Sequence, residues 1–194
     1  MISIVILAAG ASSRMGGRDK LMEHVSGQPV LAQVAQHAVA TGWPVLVVLS
    51  AAHPARATAV QDLAARQVML KGSTAGMAGS IRAAMGAIGP DITGVMIVPA
   101  DMPDLNVECF QILATCFKDH PDAIWRGSTQ DGAPGHPVIF PQRCFAKLRA
   151  LPDGEGARDV LHGEDVRLCP LPGQAARTDL DTPKDWAAWR ARQD

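Results

Sequence analysis

Arg14, Arg18 and Lys20 stand among glycines in the stretch LAAGASSRMGGRDKLM, Leu7 to Met22. The residues before them are small: Ala8, Ala9, Gly10, Ala11, Ser12 and Ser13. Small side chains let backbone N–H groups come close to a ligand, and a run of such groups makes an anion-binding nest. Arginine and lysine add charge-assisted hydrogen bonds to phosphate oxygens. A packed core has no need of cations here, whereas a polyanion does. The loop is neither of two common phosphate loops: GxxxxGK[ST] would need glycine where Met15 stands, and no GxGxxG occurs. A glycine-rich surface turn with solvated cations is the competing reading of the spacing alone.

Carboxylates form the second group. VPADMPDL puts Asp101 at the end of an apolar run, facing the crevice expected beyond a parallel strand. A hard divalent ion such as Mg²⁺ takes one or two carboxylates plus substrate phosphates, so Asp101 is a candidate ligand. Asp104 better suits a turn or helix N-cap, while Asp101 lies too early, before Pro103, to cap a helix starting near Asn106. TDLDTP offers Asp179 and Asp181, which would share one face of a strand, and either could supply a second carboxylate. In GAPGHPVIF, His136 sits between Gly135 and Pro137 at the start of an apparent strand. That position suits structure as readily as function.

The bulk properties narrow the setting of this chemistry. A chain of 194 residues, 47% hydrophobic, is long enough for one domain with a sizeable core and short for two, which predicts a single domain over residues 1–194. A formal net charge of −1 points to no nucleic-acid or polybasic membrane binding, so any anion site is a local cluster. No apolar stretch approaches the roughly 20 residues of a membrane span. MISIVILAAG lacks a basic region before its apolar run and reads as a buried first strand of a cytoplasmic protein. Cys109, Cys116, Cys144 and Cys169 form no CxxC pair and have mostly apolar neighbours, which predicts buried thiols.

The elements that must position these residues alternate between strand and helix. ISIVIL (2–7), PVLVVLS (44–50) and GVMIVPAD (94–101) are continuous apolar runs, as expected of parallel strands covered on both faces. Helices are predicted from Pro29 to a stop at Gly42, over 54–66, from about Ser80 to Ile88 and from about Asn106 to Lys118. QVML (67–70), DAIW (122–125) and HPVIF (136–140) read as further strands, and KGSTAGMAGS as a glycine-rich loop. A last helix is signalled by Thr182 as N-cap, Pro183 at its first position and Asp185 three after the cap. This order implies an α/β domain with a mostly parallel sheet.

LAAGASSRMGGRDKLM, PADMPDL, GAPGHPVIF and DLDTP, in this order, resemble the molybdenum cofactor nucleotidyltransferases, with the cytidylyltransferase branch the closer match. The resemblance covers nearly the whole chain. It implies a three-layer, Rossmann-like nucleotidyltransferase fold and Mg²⁺-dependent transfer of CMP from CTP to molybdopterin, with pyrophosphate leaving. It assigns catalytic roles to Arg14 and Lys20 and metal binding to Asp101 and Asp181. Nucleotide binding falls to Leu7, Ala8, Ala9, Gly10, Arg14, Lys20, Gly76, Met77 and Ser80, and acceptor binding to Gly135, His136 and Pro137. LAAG, where the guanylyl branch reads LAGG, favours cytidine; Asp19 and the added residue in MGGRDK are shared with the guanylyl branch. Guanylyl transfer to molybdopterin, cytidylyl transfer to a sugar or polyol phosphate, and a non-catalytic molybdopterin carrier are the alternatives. A molybdoenzyme apoprotein or its maturation chaperone is the further partner the resemblance implies.

Overall fold

In the computed structural model, which describes residues 1–70 and 76–192, the stretch Ile2–Leu7, apolar but for the buried Ser3, becomes strand β1, flanked on both sides by parallel neighbours. A strand with no polar face is stable only where both faces are covered. β2 (His24–Val25) and β3 (Gln28–Pro29) form a short hairpin that turns the chain into helix α1 (Val30–Val39). β4 (Val45–Ser50), α2 (Pro54–Ala59), β5 (Arg66–Leu70), α3 (Gly76–Ala87) and β6 (Gly94–Pro99) complete a run of βα units. α4 (Val107–Asp119), β7 (Ile124–Ser128), β8 (Pro134–Pro141), α5 (Phe145–Arg149), β9 (Val166–Pro170) and α6 (Pro183–Arg190) follow.

The seven-stranded sheet has the order β5-β4-β1-β6-β8-β7-β9. All neighbouring pairs are parallel except those of β8, which runs antiparallel to β6 and β7. Two apolar clusters cover its faces. Ile4 and Ile6 pack with residues of α1, α4 and α6, whereas Val5 packs with residues of α3 and α5. The expected three-layer α/β architecture is present.

Local expectations fail where tertiary contacts decide. The helix expected over 54–66 ends at Ala59, because Val60 turns into the core and the chain must reach β5 at Arg66. α3 begins at Gly76 rather than Ser80, and the preceding loop residues 71–75 lie outside the described ones. Residues 179–181 are not a strand. Cys116 and Cys169 are not free thiols but a disulfide that ties α4 to β9 across a sequence separation of 53, while Cys109 and Cys144 are buried and free, as expected.

Candidate active site

Parallel strands deliver their following loops to one edge of the sheet. The loop after β1, the turn after β6, the start of antiparallel β8 and the segment before α6 therefore meet there. Asp101 lies in the turn two residues beyond β6. Asp181 arrives from 80 residues further on. The Leu180 N–H donates to Asp101 O at 3.1 Å and lays the segment alongside the turn. α6 holds it there: Thr182 and Asp185 form the expected capping box, and Trp186 and Trp189 are buried in the core. Trp189 Nε1 also donates to Asp104 Oδ1 at 2.8 Å, so Asp104 anchors α6, while the N-cap of α4 is Asn106.

Lys20 bridges the two carboxylates. Its Nζ lies 2.6 Å from Asp181 Oδ1 and also donates to Asp101 Oδ2. Arg14 pairs with the other oxygen of Asp181 and is itself largely exposed. Burial works against the Lys20 charge, yet the neighbouring Asp101 and Asp181 outweigh it and hold the ammonium pKa above its ordinary value. For Asp181, burial pushes upward and Lys20 and Arg14 prevail, lowering its carboxyl pKa. Arg18 turns away to Glu23 at 3.3 Å. Two carboxylates from distant segments facing one cation are a donor set that fits a hard divalent ion. Among the described residues no third His, Cys, Asp or Glu joins them, so such an ion would take its other ligands from phosphate and water.

The loop after β1 divides into a buried and an open part. Leu7 is the last residue of β1, and Ala8 is fully buried with its N–H donated to Val48 O at 2.9 Å. Both belong to the sheet at this point. Ala9 is half-buried and Gly10 is exposed, with nothing within 4 Å of where a Cβ on Gly10 would stand. Gly76 and Met77 are exposed at the start of α3. Ser80 faces inward, and its hydroxyl is used by Gly76 O at 2.9 Å inside the helix.

The sequence reading missed Arg56. Its side chain is wholly buried beneath the loop, and all five guanidinium donors are used. Nη1 donates to Ala8 O and Gly10 O, each at 2.7 Å; Nη2 donates to Ser12 Oγ at 3.0 Å and Asp19 Oδ1 at 2.7 Å; Nε donates to Asp19 Oδ2 at 2.8 Å. Asp19, adjacent to Lys20, is thus the counterion of a buried arginine. Burial pushes its pKa upward, but Arg56 dominates and holds the carboxyl below the ordinary range. No local pattern in PARATA marks Arg56; the clue was Asp19 without an evident partner.

At the start of β8 the three expected acceptor residues separate in role. Gly135 is required by packing, since a Cβ there would lie 1.8 Å from Ala176 O. Pro137 is buried. His136 is anchored by its N–H to Ala176 O at 2.7 Å, and its Nδ1 is buried without a partner among the described residues. Burial and the Arg126 charge lower the imidazole pKa, against the opposing pull of Asp101 and Asp179. Arg126 donates through Nε to Gly135 O at 2.8 Å. Burial and the charges of Arg158 and Arg177 lower its own pKa, and it forms no ion pair among the described residues.

A doubly covered, mostly parallel sheet with cations and paired carboxylates at its carboxyl edge is the architecture of a nucleotidyltransferase. The chain belongs to the MobA-like NTP transferase domain family, whose model matches residues 4–168. It is 26% identical over 195 residues to a probable molybdenum cofactor guanylyltransferase of Rhodopirellula baltica, covering 93% of this chain and 88% of that protein. Rv0371C of Mycobacterium tuberculosis H37Rv, solved in complex with manganese, superposes with a TM-score of 0.80 at 23% identity, covering 96% of each chain. Molybdopterin-guanine dinucleotide biosynthesis protein A of Archaeoglobus fulgidus gives 0.74 at 15% identity, covering 99% of this chain and 100% of that one. At these identities the two structures speak to the fold.

Proposed function

We propose that the protein transfers CMP from CTP to the phosphate of molybdopterin, with Mg²⁺ as the metal and pyrophosphate as the second product. The observation that carries this reading is the junction of Lys20, Asp101 and Asp181 beside the open Ala9–Gly10 loop. A phosphate oxygen of the acceptor attacks the α-phosphorus, the bond to the bridging oxygen breaks, and that electron pair leaves on pyrophosphate. The nucleophile is already anionic, so positioning and charge neutralisation do the chemistry. When bound by Asp101 and Asp181, the metal supplies positive charge to the nucleotide oxygens.

In this reading Lys20 and Arg14 neutralise charge that grows on the α-phosphate and the leaving group. The Ala9–Gly10 backbone meets the nucleotide from one side, with Gly76 and Met77 opposite. His136, half-buried at the start of β8, meets the acceptor through the exposed part of its ring. Arg126, with Arg177 and Arg158 nearby, offers cationic charge to an acceptor that bears a phosphate. Retention of the complete cation and carboxylate set favours turnover over carriage of a bound cofactor.

Cytidine is the proposed base because Ala9 stands where the guanylyl branch has glycine. The Rhodopirellula relative and the Asp19 spacing favour GTP as the second reading. Equal concentrations of CTP and GTP in competition, with molybdopterin as acceptor, decide between them. The expected product carries CMP; a product carrying mainly GMP overturns the base assignment and leaves nucleotidyl transfer standing.

A further inference from the structure

Arg56 is an expensive residue to bury, and it has no exposed surface through which to touch a ligand. Its partners explain it. The two carbonyls gripped by its Nη1, those of Ala8 and Gly10, belong to the peptides that precede Ala9 and Ala11. In a trans peptide the C=O and the following N–H point in opposite directions. Among the described residues only the His136–Pro137 bond is cis, so both loop peptides are trans. Pulling these carbonyls toward the core therefore aims the Ala9 and Ala11 N–H groups away from it, toward the open side of the loop. There Gly10 and Ala11 are exposed, and neither N–H has an acceptor among the described residues.

We infer that Arg56 is a positioning residue that makes the loop after β1 a phosphate receptor, by holding the Ala8 and Gly10 carbonyls so that the Ala9 and Ala11 amides face the triphosphate. The same guanidinium grips Ser12 and Asp19, and Ser12 Oγ accepts from the Lys20 N–H at 3.3 Å. Arg56 thus joins the amide donors and the Lys20 segment into one rigid unit. A lysine cannot reproduce this, because an ammonium has three donors and no planar fork. The inference rests on the nucleotide reading of the site and adds to it the residue that orients its backbone donors.

The test uses inorganic tripolyphosphate as probe and the full chain as wild type, Arg56→Lys and Arg56→Ala, with folding checked by circular dichroism. Calorimetry gives affinity, and amide NMR follows Ala9 and Ala11. In the wild type both amide protons should shift downfield on addition of tripolyphosphate. Arg56→Lys should lose these shifts and bind about tenfold more weakly or worse, the loss of roughly one charge-assisted contact. Arg56→Ala should behave likewise, with millimolar guanidinium ion restoring part of the affinity. If Arg56→Ala does not fold, Arg56→Lys decides. Unchanged affinity in Arg56→Lys overturns the inference, as do a weaker affinity with both amide shifts retained and a wild type whose amides do not respond. Failure of the wild type to release pyrophosphate with any nucleoside triphosphate would instead overturn the transfer reading and leave the amide result intact.

Discussion

At the scale of single residues, Lys20 occupies the place the two carboxylates share. A divalent ion entering without nucleotide must compete with an ammonium already held by Asp101 and Asp181. Lys20→Met should therefore bind Mn²⁺ alone about tenfold more tightly, roughly 1.4 kcal/mol, as read by electron paramagnetic resonance. The same variant should lose about 10²–10³-fold in turnover, the value of one preorganised donor at developing charge. Weaker Mn²⁺ binding in Lys20→Met would refute the shared position. Asp19 carries a second prediction. Its pKa is depressed in the folded state, so its contribution to stability is present above the unfolded value of about 3.9 and is lost as pH falls through the lower folded value. Asp19→Asn should cost on the order of 2–3 kcal/mol at pH 7, less than a wholly buried pair because Asp19 is partly open to solvent. The difference in urea midpoint between wild type and variant should shrink as pH falls below the unfolded value of about 3.9. Parallel curves over the whole range would exclude the pairing with Arg56.

At the scale of elements, α6 is the arm that carries Asp181 to Asp101. Its capping box satisfies backbone donors at Thr182 and Asp185, immediately after the carboxylate. Thr182→Ala removes that cap and should lower stability by about 1 kcal/mol, shifting Tm by roughly 2–4 °C for a chain of this size. Because the frayed turn adjoins Asp181, the variant should also weaken Mn²⁺ binding in the presence of CTP. A thermal shift of this size with metal affinity unchanged would mean that α6 does not set the carboxylate's position.

For the molecule as a whole, the proposed site is distributed over four segments that only the folded sheet assembles. Ligands that bridge them must bind the native state and not the unfolded chain. CTP with Mg²⁺ at about one hundred times its dissociation constant should therefore stabilise the fold by about 2.7 kcal/mol, raising Tm by roughly 5–10 °C. EDTA should remove most of this shift, since two carboxylates facing bare phosphates repel them. An equal shift with and without the metal would argue against joint binding at Asp101 and Asp181.

Periodicity and end signals, which are local, determined much of this protein. The apolar runs read at 2–7, 44–50 and 94–101 signalled doubly covered strands, found at 2–7, 45–50 and 94–99, and the Thr182–Asp185 spacing signalled the start of a helix. The small residues of the loop after β1 already marked a place for close backbone approach. Tertiary structure alone decided the rest, because the deciding contacts join residues far apart in the chain. Arg56 reads as an ordinary charge in an amphipathic stretch until Ala8, Gly10 and Asp19 surround it. Gly135 is fixed as glycine by Ala176, 41 residues away in the chain, whose carbonyl oxygen would lie 1.8 Å from a Cβ there. Strand alternation alone left Asp179 and Asp181 equivalent, and only the resemblance singled out Asp181. The hydrogen bond from Leu180 to Asp101 and the burial of Trp186 and Trp189 bring Asp181 to Lys20, because a side chain's chemistry belongs to the residue while its neighbours belong to the packed chain.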